Sequence, residues 1–190
     1  MDSEKGIWEK KYAAGSHNSQ EPDPFLLFAY EKFVIALDVR PAHALDIAGG
    51  AGRHSIWLAQ QSWNVTLVDV SKTGIALARQ NAANAGVDIK TEVMDLDTAE
   101  FGTKTYDLIM VFYYLQRELF PILVRALKPH GIIIYKTYTL AQLGRPDRPR
   151  NPLYLLQSGE LREAFSGLKI LHYSESNEGR ATAEVVAHKK

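Results

Sequence analysis

The densest chemistry in the chain lies at residues 44–53, ALDIAGGAGR, where an apolar run enters a cluster of small residues and leaves as a helix. Such a turn lets backbone N–H groups approach a compact polar ligand with no Cβ in the way. Two acids stand where that ligand would need them. Asp69 closes the next β-branched run, nineteen residues after Gly50, and a carboxylate there is placed to accept both hydroxyls of a ribose. Asp95, in Met94-Asp95-Leu96, follows the third strand-like run; it would accept from an adenine amino group while Leu96 packs on the ring. Either acid alone reads more readily as a solvated strand end, and the glycines alone can be read as a tight reversal. The three together define a nucleoside site.

Holding these residues at one edge requires alternating strands and helices. Residues 44–48, 65–70, 89–94 and 106–112 read as strands, with helices at 54–61 and 72–85, the second closed by Gly86. A helix over about 118–127 sets Leu119, Ile122, Leu123, Ala126 and Leu127 on one stripe, with Pro121 in its first turn. Residues 132–138, almost wholly β-branched and aromatic, read as an inner strand. Gly144, Pro146, Pro149 and Pro152 make 140–152 a long loop. Ser158 is placed to cap a helix at 159–165, and 169–174 with 181–187 form an antiparallel hairpin about the turn-prone residues 176–179. Ahead of the sheet, helices at 5–13 and 24–37 flank a polar stretch, 15–23. The pattern predicts an α/β fold with a doubly wound, mostly parallel sheet covered on both faces. A length of 190 residues predicts a single domain, 1–190, with a helical cap at 1–40 and the core at 41–190.

Composition removes several classes of function. Lys plus Arg and Asp plus Glu are both 22, so no global field draws the chain to nucleic acid or to an anionic membrane. With no cysteine there is no disulfide, no cysteine-held zinc or iron–sulfur cluster and no thiol nucleophile. No run of about 18 apolar residues exists, the first residues lack an apolar leader core, and no His, Asp and Glu spacing suggests a metal. The expectation is a cytoplasmic protein, monomer or homodimer, without membrane or nucleic-acid partners.

Starting at Gly50, a dinucleotide-type G-x-G-x-x-G fails at Ser55. Starting at Asp46, an acid is followed by small residues at Ala48, Gly50 and Gly52. That pattern resembles motif I of the class I S-adenosylmethionine-dependent methyltransferases, with Ala48 where the family carries its first glycine. Asp69 matches the family's ribose acid, Asp95-Leu96 its adenine pair, residues 106–109 its fourth strand, and Leu127-Lys128-Pro129-His130-Gly131 its turn before the fifth, with His130 for a glycine. The segments 8–12, 114–117 and 151–156, with Gly159-Glu160-Leu161, are similar to small bacterial methyltransferases of the tellurite-resistance type. The resemblance implies a Rossmann-like seven-stranded sheet ending with one reversed strand. It also implies S-adenosyl-L-methionine as cofactor, leaving as S-adenosyl-L-homocysteine, and a cofactor site drawn from Tyr12, Asp46, Ala48, Gly49, Gly50, Asp69, Val70, Asp95, Leu96, Val111 and Tyr113.

Methyl transfer from a sulfonium is an in-line displacement, so the protein's work is alignment and exclusion of water. The acceptor is expected over the carboxyl ends of the fourth and fifth strands, among Phe112, Tyr113, Tyr114, Arg117 and Tyr138, with Lys10, Lys11 and Tyr12 folding across. The catalytic candidates are Tyr113, Tyr114, Arg117, Tyr138 and His17, the tyrosines reading equally as packed amphipathic rings. His17 and His54 are the possible proton acceptors. Arg145, Arg148 and Arg150, against Asp147, read either as a lid attracting an anion or as a solvated loop. Strand four ends Val-Phe-Tyr-Tyr, without the Asp/Asn-Pro-Pro-Tyr signature of amide and adenine methylation, and pyrimidine C5 chemistry of the usual kind lacks its cysteine. A small-molecule acceptor remains, a soft anion or thiol. The alternatives are an NAD(P)-dependent oxidoreductase and a non-catalytic S-adenosylmethionine-binding module.

Overall fold

A computed structural model describes residues 4–39, 41–145, 149 and 151–190. The sheet's strands are β1 (His43–Ile47), β2 (Asn64–Asp69), β3 (Lys90–Val93), β4 (Tyr106–Phe112), β5 (Leu127–Tyr138), β6 (Lys169–Ser176) and β7 (Thr182–His188). The helices are α1 (Glu4–Ala13), α2 (Pro24–Ala29), α3 (Arg53–Gln60), α4 (Lys72–Asn84), α5 (Leu119–Ala126) and α6 (Glu160–Ala164). The strand order is β3-β2-β1-β4-β5-β7-β6. β1 pairs parallel with both β2 (Ala44 to Val65) and β4 (Ala44 to Leu108). The chain therefore winds outward from β1 in two directions, and a crevice opens at the carboxyl ends of β1 and β4, where ligands bind in such sheets. β7 inserts between β5 and β6, antiparallel to each, so it is the one reversed strand.

Alternation along the inner strands divides the core between the two faces. Leu45, Ile47, Ile109, Val111, Ile133 and Tyr135 pack with Leu123, Leu161 and Phe165 on one side. Ala44, Val65, Leu108, Met110, Ile132 and Ile134 meet Phe25, Leu26 and Leu58 on the other. Both faces are covered, which is why these strands read as unbroken apolar runs.

Several boundaries differ from the sequence expectation. The helix expected at 24–37 begins on an Asp23 cap, whose side chain accepts from the Phe25 N–H, and widens into a π-helical stretch at Tyr30–Ile35. β5 begins at Leu127, five residues early: the Pro129-Gly131 breakers are overridden because His130 N donates to Lys189 O and Lys189 N to Gly131 O, tying the turn to the chain's end. Ser158 does not cap α6. Gly159 holds that position at φ +80°, and the Ser158 hydroxyl donates to Glu175 instead. The loop after β5 carries 3₁₀ turns at Leu140–Gln142 and Pro152–Tyr154.

Candidate cofactor and acceptor site

At the β1 end the polar groups are mainly backbone. Gly50, at φ +56°, donates its N–H to Asp69 Oδ2 at 2.9 Å, and Ser71 N donates to Asp69 Oδ1 at 2.9 Å. The acid thus fixes the glycine turn and the start of α4 together. Burial raises its pKa above the ordinary carboxylate range, against these two bonds. Asp46 is fully buried in β1 and accepts from the Ser55 hydroxyl at 2.7 Å; burial pushes its carboxyl up to about 7. A Cβ on Gly49 would lie 2.6 Å from Leu67 Cγ, and one on Gly50 would lie 2.1 Å from the Tyr12 hydroxyl. Only glycine leaves this floor flat. Ala48 takes φ +53° at the position where a glycine would be unstrained.

The N-terminal helix closes over that floor. Glu9 on α1 accepts from Lys72 N (2.6 Å), Thr73 N (3.1 Å) and the Ser71 hydroxyl (3.2 Å), so its carboxylate caps α4 from another element. Trp8, Tyr12 and His17 form a ring cluster above the turn, with centroids 5.3–6.4 Å apart. Burial, then the Asp69 and Asp46 carboxylates, raises the Tyr12 phenol.

At the β4 end the groups are side chains brought from distant segments. Tyr113 follows β4 at φ +59°, a conformation that bulky residues hold only where their surroundings dictate it. Its hydroxyl donates to Asp23, which also accepts from Lys136 Nζ at 3.0 Å and Phe25 N at 2.9 Å. Burial raises the Asp23 carboxyl, and the bonds from Tyr113, Phe25 and Lys136 outweigh it, leaving the pKa below the ordinary range. The Asp23 N–H donates to His54 Nε2 at 3.2 Å. His54, packed 4.2 Å from the Phe112 ring, is pushed down to about 3 by burial and then by Arg53. Tyr138 lies 5.1 Å from Tyr113, and the Arg53 and Arg180 guanidiniums lie 5.9 and 5.8 Å from the Tyr113 ring centre.

These two ends enclose a cavity of about 450 Å³. Of the sequence candidates, Tyr12, His17, Asp46, Ala48, Gly49, Gly50, Asp69, Val70, Asp95, Leu96, Tyr113, Tyr114 and Tyr138 line it. Val111 is fully buried in the sheet and does not. Arg117 does not either: its guanidinium is paired with both oxygens of Glu160 and donates to the Leu153 and Leu155 carbonyls, which corrects its placement beside an acceptor. Lys10 and Lys11 are absent from the wall, which takes Lys5 and Trp8 from α1 instead; the Lys11 ammonium sits 4.1 Å from the Trp8 ring centre. Arg53 and Glu9 fall inside the segments 44–53 and 8–12 that the sequence singles out, where no role is assigned to either, and Arg180 carries no motif at all. The suggested arginine lid falls largely on Asp147, Arg148 and Arg150, which lie outside the described residues. Arg145 donates to the Asn177 and Gly179 carbonyls and holds its loop to the β6–β7 turn. Among the described residues no helix is long and apolar enough to cross a membrane.

A flat, backbone-lined floor, a buried acid at the end of β2 and a second acid, Asp95, at the end of β3 suit an adenosine. Residues 44–131 match the model described as Methyltransferase domain. The chain is 27% identical over 144 residues to the Probable S-adenosyl-L-methionine-dependent methyltransferase TehB of Haemophilus influenzae, a match covering 73% of this chain and 50% of that one. It thus spans about half the length of the curated relatives it matches. The crystal structure of TehB from Haemophilus influenzae superposes with a TM-score of 0.71 at 20% identity, over 96% of this chain and 67% of that one. A SAM dependent methyltransferase from Aquifex aeolicus superposes at 0.69 and 16% identity, over 96% and 98% of the two chains. Those superpositions give the fold, a Rossmann-like sheet ending in one antiparallel strand. Residues 44–131 are thus similar to a methyltransferase domain, and the curated relatives matched over 73% of the chain are S-adenosyl-L-methionine-dependent methyltransferases, a likeness that implies S-adenosyl-L-methionine as cofactor and S-adenosyl-L-homocysteine as its product.

Proposed function

We propose that this chain transfers a methyl group to a small-molecule acceptor. The observation that carries the reading is that the family's glycine turn opens into the same cavity that Tyr113, Tyr114, Tyr138 and Arg180 wall from the β4–β7 side. The bound cofactor supplies an electrophilic methyl group on a sulfonium. Asp69 would hold the ribose hydroxyls, Asp95 the adenine amino group, and Gly49 and Gly50 the close backbone approach. Tyr12 and Trp8, folded over the turn, would exclude water.

Proton traffic is limited by what the side chains already do. The His54 Nε2 lone pair is used by Asp23 N, and the Tyr113 hydroxyl is committed to the Asp23 carboxylate. His17, whose pKa is held below the ordinary imidazole value by burial and then by Lys11, stands at the cavity wall as one candidate base, beside Asp95 and Asp97 on the same wall. The acceptor's lone pair would form the new bond to carbon while the carbon–sulfur pair would stay on sulfur. A proton on the nucleophile, where there is one, would pass to His17 or water.

Calorimetric titration of the purified protein with S-adenosyl-L-homocysteine, with NAD as the comparison ligand, tests the reading. Saturable one-to-one binding of the nucleoside thioether alone supports it. Binding of NAD alone, or of neither, ends it.

A further inference from the structure

His54 carries a donor that nothing in the fold uses. The second residue of α3, it is 4% exposed, with its ring 4.2 Å from that of Phe112 at the end of β4. Its Nε2 accepts from the Asp23 N–H at 3.2 Å, and a backbone N–H can only donate. Burial keeps the imidazole neutral, so its one proton is on Nδ1. That nitrogen has no hydrogen-bond partner, yet no enclosed side-chain nitrogen or oxygen lacks one among the described residues. Nδ1 therefore opens on accessible space, and the space that His54 borders is the cavity of the glycine turn and Tyr113. A buried donor left unpaired is costly, and a ligand lone pair in that cavity would complete it.

The completing group must accept. A ligand N–H, O–H or ammonium would set proton against proton, whereas an oxygen lone pair fits, most strongly on an anion. Negative charge is not repelled on this side of the cavity. Its acids, Asp46, Asp69, Asp95 and Asp97, come from β1, β2 and the segment after β3, and none of the lining acids comes from the β4–β7 side that His54 meets through Phe112. Asp23, whose carboxylate also acts on the ring, has its charge met by Lys136 and Tyr113. Because Nδ1–H cannot take up a proton, the group beside it must already be ionised at neutral pH. Carboxyls, with pKa values of about 4, meet that condition; thiols at about 8.5 and phenols at about 10 do not. A carboxylate also has a second oxygen, whose lone pairs stay free.

We infer that His54 is a binding residue for the methyl acceptor, donating Nδ1–H to one oxygen of a small carboxylate whose other oxygen takes the methyl group. A lone pair of that oxygen forms the new bond to carbon as the carbon–sulfur bond breaks, with its pair left on sulfur. The products are a methyl ester and S-adenosyl-L-homocysteine, and no proton moves. The inference rests on the transfer reading above.

The test is calorimetry on protein saturated with S-adenosyl-L-homocysteine, with formate, acetate, propionate and benzoate as probes beside their matched alcohols and alkylammonium ions. At least one carboxylate is expected to bind saturably and about tenfold more tightly than its matched alcohol or ammonium. Two variants separate the roles of the two ring nitrogens. The longer amide of His54→Gln can accept from Asp23 N and places no donor at Nδ1; the shorter amide of His54→Asn places an N–H near Nδ1 and does not reach Asp23. Carboxylate affinity should fall about tenfold in His54→Gln and stay within about threefold in His54→Asn, and saturable binding of S-adenosyl-L-homocysteine reports that each variant is folded. A purely structural His54 gives the reverse order and overturns the inference. So does equal binding of an alcohol or ammonium, absence of carboxylate binding at millimolar concentration, or failure of every bound carboxylate to yield a methyl ester with S-adenosyl-L-methionine by mass spectrometry. If S-adenosyl-L-homocysteine itself fails to bind, the transfer reading falls first and takes this one with it.

Discussion

At the β1–β2 end of the crevice, the groups that shape the site are close together in the chain and are mostly main chain: Gly50 N and Ser71 N on Asp69, and Ser55 on Asp46. At the β4–β5 end they are side chains from far apart. Asp23 meets Tyr113 across 90 residues and Lys136 across 113, and Arg180 arrives from beyond β6. At the first end little can vary without closing the floor that Gly49 and Gly50 keep flat. The second is a set of charges and rings whose identity can change while the sheet stays the same. On the proposed transfer reading, cofactor choice and acceptor choice are separately adjustable at these two ends.

The sharpest way to break this contrast is at Asp23. Its removal in Asp23→Ala leaves Lys136 and the Tyr113 hydroxyl partly buried without their common partner and strips the α2 cap. Losing one member of such a pair costs about 3 kcal/mol, and for a chain of this length that is about 6–12 °C in Tm. Differential scanning calorimetry should show that loss, and S-adenosyl-L-homocysteine affinity at temperatures where the variant is folded should stay within about threefold. A collapse of cofactor binding in folded protein would mean that the two ends are one unit.

Asp69→Ala is the mirror experiment. It should weaken S-adenosyl-L-homocysteine binding by about a hundredfold, equivalent to about 2.7 kcal/mol, because the carboxylate proposed to hold the ribose and the brace on Gly50 and Ser71 are lost together. Intact affinity in that variant would displace the cofactor site from the end of β2.

The same contrast governs what the sequence makes legible. The glycine turn, Asp69 and Asp95 lie at strand ends separated by regular βα units, so spacing alone brings them to one edge. Arg180 carries no such mark. It stands in a polar hairpin turn, and only the pairing of β7 between β5 and β6 brings it to Tyr113. Glu9 is hidden for the opposite reason: in sequence it is one charge in a mixed helix, and only the docking of α1 on α4 turns it into a cap. Arg117 shows the reverse error, a charged residue after strand four that looks functional and is consumed by Glu160 and two carbonyls.

Acid sensitivity sharpens the picture where the two ends meet. His54 has its pKa depressed to about 3 in the folded chain, from an ordinary value near 6.5, so its contribution is present in full above pH 6.5 and is lost as pH falls toward 3. Asp46 behaves in the opposite sense: with its pKa raised to about 7, stability falls as pH rises between about 4 and 7. Asn in place of His54 removes the first dependence and leaves the second. Relative to its own stability at pH 7.5, the variant should gain about 2 kcal/mol over the parent at pH 5, at about 1.36 kcal/mol per pKa unit. Denaturant titrations at the two pH values measure this directly. Equal slopes in both proteins would mean that His54 titrates normally and that Asp23 N is not its partner.

The smallest effect tests whether the β4 end extends past Tyr114. Arg117 is a third or more exposed, and its ion pair with Glu160 is partly screened, so Arg117→Ala should cost only about 1 kcal/mol. The loss should be local, because the guanidinium binds the carbonyls on either side of Tyr154. Limited proteolysis is therefore expected to cut faster within 151–158, with S-adenosyl-L-homocysteine affinity and methyl-transfer turnover both within about twofold of the parent. A selective fall in turnover would return Arg117 to the acceptor site and extend that site along the chain toward α5. Unchanged turnover would keep Arg117 outside the proposed acceptor site, which then ends at Tyr114.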